Sequence, residues 1–232
     1  KTYVEEDEII YLSGTKDCID FNYVWWSGKM WRITAIYPDG AMKMVTDMER
    51  IGDHAADISE MTILMGQNSQ IDKFEHISQM ATETMIMLNH SIEAYVEKNV
   101  IKAKEVIEHD DIVDDLFVEA KKDVIELILN SPIEGEGATD ILMIAKYFER
   151  IGDHAINIAG YSRIIKEKGI KFSEMAQKEI VEMQKTCEIL FSSLLEEPKD
   201  MISWHTQIAC MEQKIDDLTA QYRNNMFIRI QK

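Results

Sequence analysis

Two eleven-residue stretches, MERIGDHAADI from Met48 and FERIGDHAINI from Phe148, share eight identical positions at an offset of one hundred residues. Each holds a glutamate and an aspartate four residues apart, Glu49 with Asp53 and Glu149 with Asp153. Residues four apart lie one above the other on a helix, so each cassette turns two carboxylates to one side. Such a pair can share a cation or bridge two cations. Without a cation the like charges repel, and crowding them costs energy.

One pair rarely holds an ion alone, and matching pairs occur elsewhere. HDDIVDDL places Asp110 and Asp114 four apart, and MEQKIDDL does the same with Glu212 and Asp216. The expected partnerships are Asp110 and Asp114 with Glu149 and Asp153, and Glu212 and Asp216 with Glu49 and Asp53. Taken singly, an acidic pair at this spacing is an ordinary solvated helix face. Its duplication inside near-identical cassettes, each with an acidic partner available, favours metal binding. His54 and His154 adjoin the acids but point about 100° away from them on a helix, and are secondary candidates as ligands. Asp57 and Asn157, one turn beyond Asp53 and Asp153, are candidates to complete the shell directly or through water. Arg50 and Arg150 are expected to pair with acids on nearby helices.

The elements that must carry these residues are helical. The expected helices run from Thr46 or Asp47, either of which can cap, to about Met65, then from about Asp72 to Lys98 and from about Val100 to Leu129. Three more run from about Ala138 to Lys168, from Ser173 to about Glu196, and from about Lys199 to the end. In the fourth, Ile141, Ile144, Phe148, Ile151, Ala155 and Ile158 recur at spacings of three and four. That is a seam for packing in a bundle, and short connections favour antiparallel neighbours. Glu149 follows Phe148 by one residue, so the acids flank the seam and any metal sits in a surface groove. Gly52 and Gly152 interrupt good helix at about 1 kcal/mol each relative to alanine, a cost that close helix approach would justify. The fifteen methionines are adaptable core filler. Before residue 46, three of the four tryptophans and breaks at Ser27-Gly28 and Pro38-Asp39-Gly40 indicate short strands with tight turns.

Composition restricts the partners. The 232 residues carry 42 acidic and 25 basic side chains, for a formal net charge of −17. A surface that acidic repels nucleic acid and anionic lipid and suits cations or basic partners. Three widely spaced cysteines and no CxxC pair argue against zinc ribbons and disulfides, and for a cytoplasmic setting. No window reaches the roughly 18 unbroken apolar residues of a membrane span, so no direct membrane insertion is expected. The start at Lys1 rather than Met is read as a fragment or a processed terminus. Gly-rich phosphate loops, HExxH, GxSxG and Cys/His nucleophile patterns are absent.

KYFERIGDHAINIA and MVTDMERIGDHAADI, with AYVEKNVIKAKEVIEHDDIVDDLF between them, closely resemble the signature segments and middle helix of the phosphate-uptake regulator (PhoU) family, over about residues 46–165. The resemblance implies an all-α fold of PhoU-like three-helix-bundle repeats of long antiparallel helices, here behind a short β-like N-terminal segment. It implies a multinuclear iron or zinc cluster on Asp110, Asp114, Glu149 and Asp153, and a second on Glu49 and Asp53. Family members act in the cytoplasm as negative regulators of phosphate uptake and phosphate-starvation signalling, without enzymatic activity. The implied partners are the phosphate transporter's ATPase subunit and the phosphate-sensing histidine kinase, with a homodimer as a further assembly. EEDEIIYL resembles the family's middle helix, with Ile10 in place of the second ligand.

The expected organisation is a β-hairpin-like segment at 1–45, the final helix of a first repeat at 46–70, a complete repeat at 71–169, and two further repeat helices at 170–232. Those last helices either close a second bundle with helix one in permuted order or await residues beyond Lys232. They also resemble the cytosolic regulatory region of sodium/phosphate cotransporters, which gives an alternative function as a transporter domain. A third alternative is a carboxylate-bridged di-iron enzyme. It is opposed by the absence of the E-x-x-H motif such bundles use and by acids that flank the seam.

Overall fold

The structure is a computed structural model that describes residues 5–6, 9–10, 23–26, 29–32, 41–66, 74–130, 135–195 and 200–230. The chain forms two compact units, Lys1–Gly40 and Ala41–Lys232. In the first, β1 (Glu5–Glu6) pairs antiparallel with β2 (Ile9–Ile10), and β3 (Tyr23–Trp26) with β4 (Lys29–Arg32). Val24 faces Trp31 and Trp25 faces Met30 across the second ladder. Glu6 and Ile10 are therefore strand residues, and the likeness of EEDEIIYL to a middle helix does not carry over. The turns expected at Ser27-Gly28 and Pro38-Asp39-Gly40 lie outside the described residues.

The second unit contains α1 (Ala41–Met65), α2 (Glu75–Glu97), α3 (Val100–Asn130), α4 (Gly135–Glu167), α5 (Glu174–Leu195) and α6 (Met201–Ile230). Helix α1 starts at Ala41, ahead of the expected caps, so Thr46 and Asp47 are helical residues and cap nothing. Polar side chains do cap other helices. Asn99 Oδ1 accepts from the amides of Ile101 and Lys102, Ser173 Oγ from Ala176, and Asp200 Oδ2 from Ser203. The cap holds Asp200 below the usual carboxylate range, since its charged form accepts the Ser203 hydrogen bond.

Helices α2, α3 and α4 pack on one another as one three-helix bundle, and α1, α5 and α6 as a second. The second bundle is discontinuous in sequence, because its first helix precedes the whole of the first bundle. Helix α1 also packs along α4 and joins the two. The apolar seams merge into one core that includes Met48, Ile51, Ala55, Ile144, Phe148, Ile151, Leu190 and Ile215. Met44, Met48, Met80, Met87 and Met183 are all fully enclosed there, as expected of core filler.

Polar ties run along the α5–α6 contact. Trp204 donates its indole N–H to Ser193 O at 2.8 Å, and the Tyr222 hydroxyl reaches Glu182 at 3.1 Å. Tyr95 at the end of α2 stacks on Phe172, ring centroids 5.8 Å apart, just ahead of α5. Cys187 and Cys210 are free, and Cys18 lies outside the described residues. Burial pushes the Cys187 thiol up to about 12, so it behaves as a small apolar core residue.

Phe191 is 1% exposed in the second bundle, and Ile101 is 73% exposed on α3. Phe191→Ala is expected to destabilise the chain by about 3–5 kcal/mol, and Ile101→Ala to change it by less than about 0.5 kcal/mol. Urea denaturation of both variants checks the packing.

Candidate metal centres and the seam between the repeats

Each cassette sits where its helix meets the acidic helix of its own bundle. The α3–α4 contact brings together Asp110, Asp114, Glu149 and Asp153. Burial, then the charges of Asp114, Asp153 and Glu149, push Asp110 up to about 6. Burial, then Glu149, also raises Asp153. Glu149 bonds Lys146 through one carboxylate oxygen, while its other oxygen, Oε2, is buried without a hydrogen-bond partner. A buried carboxylate oxygen with no donor is costly, and a cation is one partner that would offset that cost.

The α1–α6 contact makes the second set. Carboxylate oxygens of Asp53, Glu212 and Asp216 all lie within 4.8 Å of one another. Oxygens bound to one cation at about 2.0–2.6 Å are separated by distances of this order. Burial, then Asp216, Asp53 and Asp57, raises Glu212, and burial, then Asp53, raises Asp216. Glu49, the fourth member expected, is turned instead to Arg223 at 2.5 Å. Arg223 also reaches Thr46 at 3.3 Å. Among the described residues the tight gathering is therefore this three-carboxylate set, whereas the resemblance points first to the α3–α4 set.

The glycines explain the close approach. A Cβ on Gly152 would lie 3.4 Å from Asp110 Oδ1, and one on Gly52 would lie 3.3 Å from Ile215 Cδ1. In the first bundle the missing side chain makes room for a carboxylate, in the second for an apolar methyl. All of the acids lie at the flank of the core, half-buried or exposed, as their phase one residue past the seam requires.

The remaining candidates belong to a different structure, the seam between α1 and α4. These helices run antiparallel, and equivalent cassette positions face one another. His54 and His154 stack with ring centroids 5.7 Å apart. Asp47 accepts hydrogen bonds from three groups of α4. His154 Nδ1 lies at 2.7 Å and Asn157 Nδ2 at 3.3 Å from Oδ1, and the Tyr161 hydroxyl lies at 2.8 Å from Oδ2. On the other side His54 stands 5.4 Å from the Tyr147 ring and its Nδ1 lies 3.6 Å from Asp57. Burial and His154 lower the pKa of His54, and burial and Asp57 raise that of Tyr147. His154 and Asn157 are thus spent on Asp47, whereas Asp57 stands between the seam and Glu212. Arg50 pairs within its own helix, to Asp53 at 3.2 Å, and Arg150 lies over the Tyr147 ring. Neither arginine makes the expected ion pair to a neighbouring helix among the described residues.

Sequence reasoning assigned Asp47 only a capping role. The signal was present in the repeat itself, since Asp47 stands seven residues before His54 and at the position equivalent to Tyr147. Asp47→Ala removes the acceptor of three donors at a residue 7% exposed. The expected loss is about 1–3 kcal/mol of stability, larger than for Asp47→Asn, measured by urea denaturation.

Among the described residues no helix is long and apolar enough to cross a membrane. The PhoU domain profile matches residues 77–161, which cover α3, most of α2 and α4 up to Tyr161. The chain is 35% identical over 117 residues to the phosphate-specific transport system accessory protein PhoU homolog of Clostridium acetobutylicum, covering 50% of this chain and 53% of that protein. It is 32% identical over 111 residues to the homolog of Aquifex aeolicus, covering 48% and 50%, and 29% identical over 124 residues to that of Borreliella burgdorferi, covering 50% and 55%. The chain thus spans about half the length of these relatives. No solved structure matches. Residues 77–161 thus match the PhoU domain family, and the similarity of the chain to the PhoU homologs extends over about half of its length.

Proposed function

We propose that this chain is a metal-binding, non-catalytic regulatory protein of phosphate homeostasis, acting in the cytoplasm as a negative regulator of phosphate uptake and phosphate-starvation signalling. The observation that carries the metal reading is the pair of carboxylate gatherings at equivalent places in two bundles, one of them within 4.8 Å and the other holding the orphaned Glu149 oxygen. The relatives are named as accessory proteins of phosphate-specific transport systems, which supports the pathway. The transporter's ATPase subunit and the phosphate-sensing histidine kinase are the partners in this reading, and a homodimer is a further assembly.

Hard or borderline divalent cations suit these oxygen donors, and iron or zinc is the proposed occupant. Asp110, Asp114, Glu149 and Asp153 would hold one centre; Asp53, Glu212 and Asp216 would hold the other, joined by Glu49 if Arg223 releases it. A bound cation would supply positive charge at a surface of net negative charge and draw two helices into fixed register. Glu149 would bring its orphaned oxygen to the ion, and Lys146 would hold its other oxygen in place. In this reading α2–α4 form one complete repeat and α1, α5 and α6 a permuted one.

Elemental analysis of purified protein is expected to show iron or zinc, reduced by Glu149→Ala and Asp153→Ala for the first centre and by Asp53→Ala and Glu212→Ala for the second. Equal metal content in wild type and all four variants would remove the assignment.

The pH dependence has a definite sign. Asp110 is raised in the folded chain from its ordinary 3.8 to about 6. The folded state therefore binds the proton more tightly than the unfolded state. The stability so gained is present below about pH 4 and lost as pH rises through about 6. Metal-free wild type should lose thermal stability across that window more steeply than Asp110→Asn. Metal affinity should move oppositely, strengthening as pH rises through about 6 and the proton leaves the ligand, as followed by competition with a chelating dye.

A further inference from the structure

The duplicated cassette contains more than acids. Its arginine and histidine recur as well, and the α1–α4 seam brings both copies to one groove of about 610 Å³, lined by Arg50, His54, Arg150, His154, Asn157 and the edge of Asp153. In a chain of net charge −17, the walls of this concavity carry two guanidinium groups and one carboxylate, with Asp53, Asp57 and Asp47 behind them against Arg50, His54 and His154. The metal reading leaves Arg150 unused and touches Arg50 only through Asp53.

The antiparallel crossing sets the geometry. Each arginine precedes the histidine of its own cassette by four residues, about 6 Å along the helix. Because the helices run in opposite directions, Arg50 and Arg150 stand at opposite ends of the stacked His54–His154 pair. The arginines thus flank a central pair of rings, within side-chain reach of anything seated over them. Arg50 uses one N–H on Asp53 at 3.2 Å, and four of its donors remain. Arg150 makes no ion pair among the described residues and rests on the Tyr147 ring, 5.9 Å from its centroid. Such a stack pre-orients a guanidinium at little cost to its donors. His54 Nδ1 makes no hydrogen bond, and the Asp57 carboxylate lies 3.6 Å from it on the side away from Arg50 in sequence. Asp47, bonded to His154 Nδ1, fixes that ring and leaves its Nε2 atom for a ligand.

We infer that the α1–α4 groove is a binding site for a tetrahedral oxyanion of the phosphate class, free or as the end group of a phosphorylated molecule, clamped between Arg50 and Arg150. Planar forked donors on opposite sides of an acceptor with several oxygens are the arrangement that recognises phosphoryl groups. The groove is much larger than one phosphate ion, so an attached organic group fits as well. The nucleic-acid backbone stays excluded, since the acidic surface around the groove repels a long polyanion.

The test uses the 232-residue chain stripped of metal with a chelator that is then removed, titrated calorimetrically with inorganic phosphate and, separately, with phosphoserine. Saturable binding with a dissociation constant at or below about 1 mM is expected for at least one of them. Phosphate alone identifies the free ion as the ligand; phosphoserine alone identifies the phosphorylated end group; binding of both admits either. Arg150→Ala and Arg50→Ala should each weaken binding about tenfold or more, and the double variant should abolish it. Both arginines are exposed, so melting temperatures should stay at the wild-type value. Arg163→Ala removes an exposed α4 arginine paired with Glu167 and should leave affinity unchanged. Absence of saturable binding, wild-type affinity in the double arginine variant, or an equal loss in Arg163→Ala would each overturn the inference. Binding that appears only on metal loading and vanishes with Glu149→Gln would overturn it too, by placing the anion on the metal and leaving the metal reading intact.

Discussion

A single buried carboxylate organises the α1–α4 seam of this molecule. Asp47 enters the α1–α4 seam from a helix whose other face belongs to a different bundle, and it collects an imidazole, an amide and a phenol from α4. A carboxylate removed from water needs donors to remain charged, and α4 presents them on one face over two turns. The effect is directional as well as energetic, because the bonds are made only in one register of α1 against α4. The opposite end of the seam, with Tyr147, His54 and Asp57, uses equivalent positions and different chemistry. The seam is therefore a near-twofold built from one chain, made asymmetric because Asp47 stands at the position equivalent to Tyr147 and Met61 at the position equivalent to Tyr161.

Register at the seam fixes the acids. Once α1 and α4 are aligned, the cassettes' carboxylates face outward on either side, toward α6 and α3 respectively. Gly52 and Gly152 then let those helices approach. The folded chain in this way holds like charges close together, and protons or basic side chains partly relieve them. Lys146 serves Glu149, Arg50 serves Asp53 and Arg223 serves Glu49. The two sets differ in what is left over. Burial and neighbouring carboxylates push Asp110 up to about 6, and the second set loses Glu49 to Arg223 near the far end of α6.

Much of this was legible in the sequence because helical periodicity is local. The seam of α4 and the i, i+4 acids follow from 3.6 residues per turn; the structure puts Asp110 near Asp153, as adjacency of α3 and α4 suggested, and Asp53 near Glu212 and Asp216, as a bundle closed between the chain's two ends suggested. The start of α1 was misplaced because Thr46 and Asp47 look like caps, and tertiary contacts to Arg223 and α4 occupy them instead. Arg50 and Arg150 were expected to bridge helices, yet Asp53 and Tyr147, each three residues away on the same helix, claim them first. Nothing local marks Arg223 as the partner of Glu49. That pairing depends on how two helices at opposite ends of the chain meet.

The discontinuous bundle has a consequence for how the chain is made. Glu49 waits for a partner 174 residues downstream, and at ribosomal rates of about 5–20 residues per second this is a delay of roughly 10–30 s. During that interval α2, α3 and α4 are complete and α1 has only α4 to lean on. Among the described residues, the contacts of α1 with α5 and α6 cannot yet form, and Met44, Met48 and Ile51 of α1 are among the residues buried in the finished core. A nascent chain halted before α6 is therefore a sticky species, and chaperone occupancy should rise and fall with the emergence of the last helix.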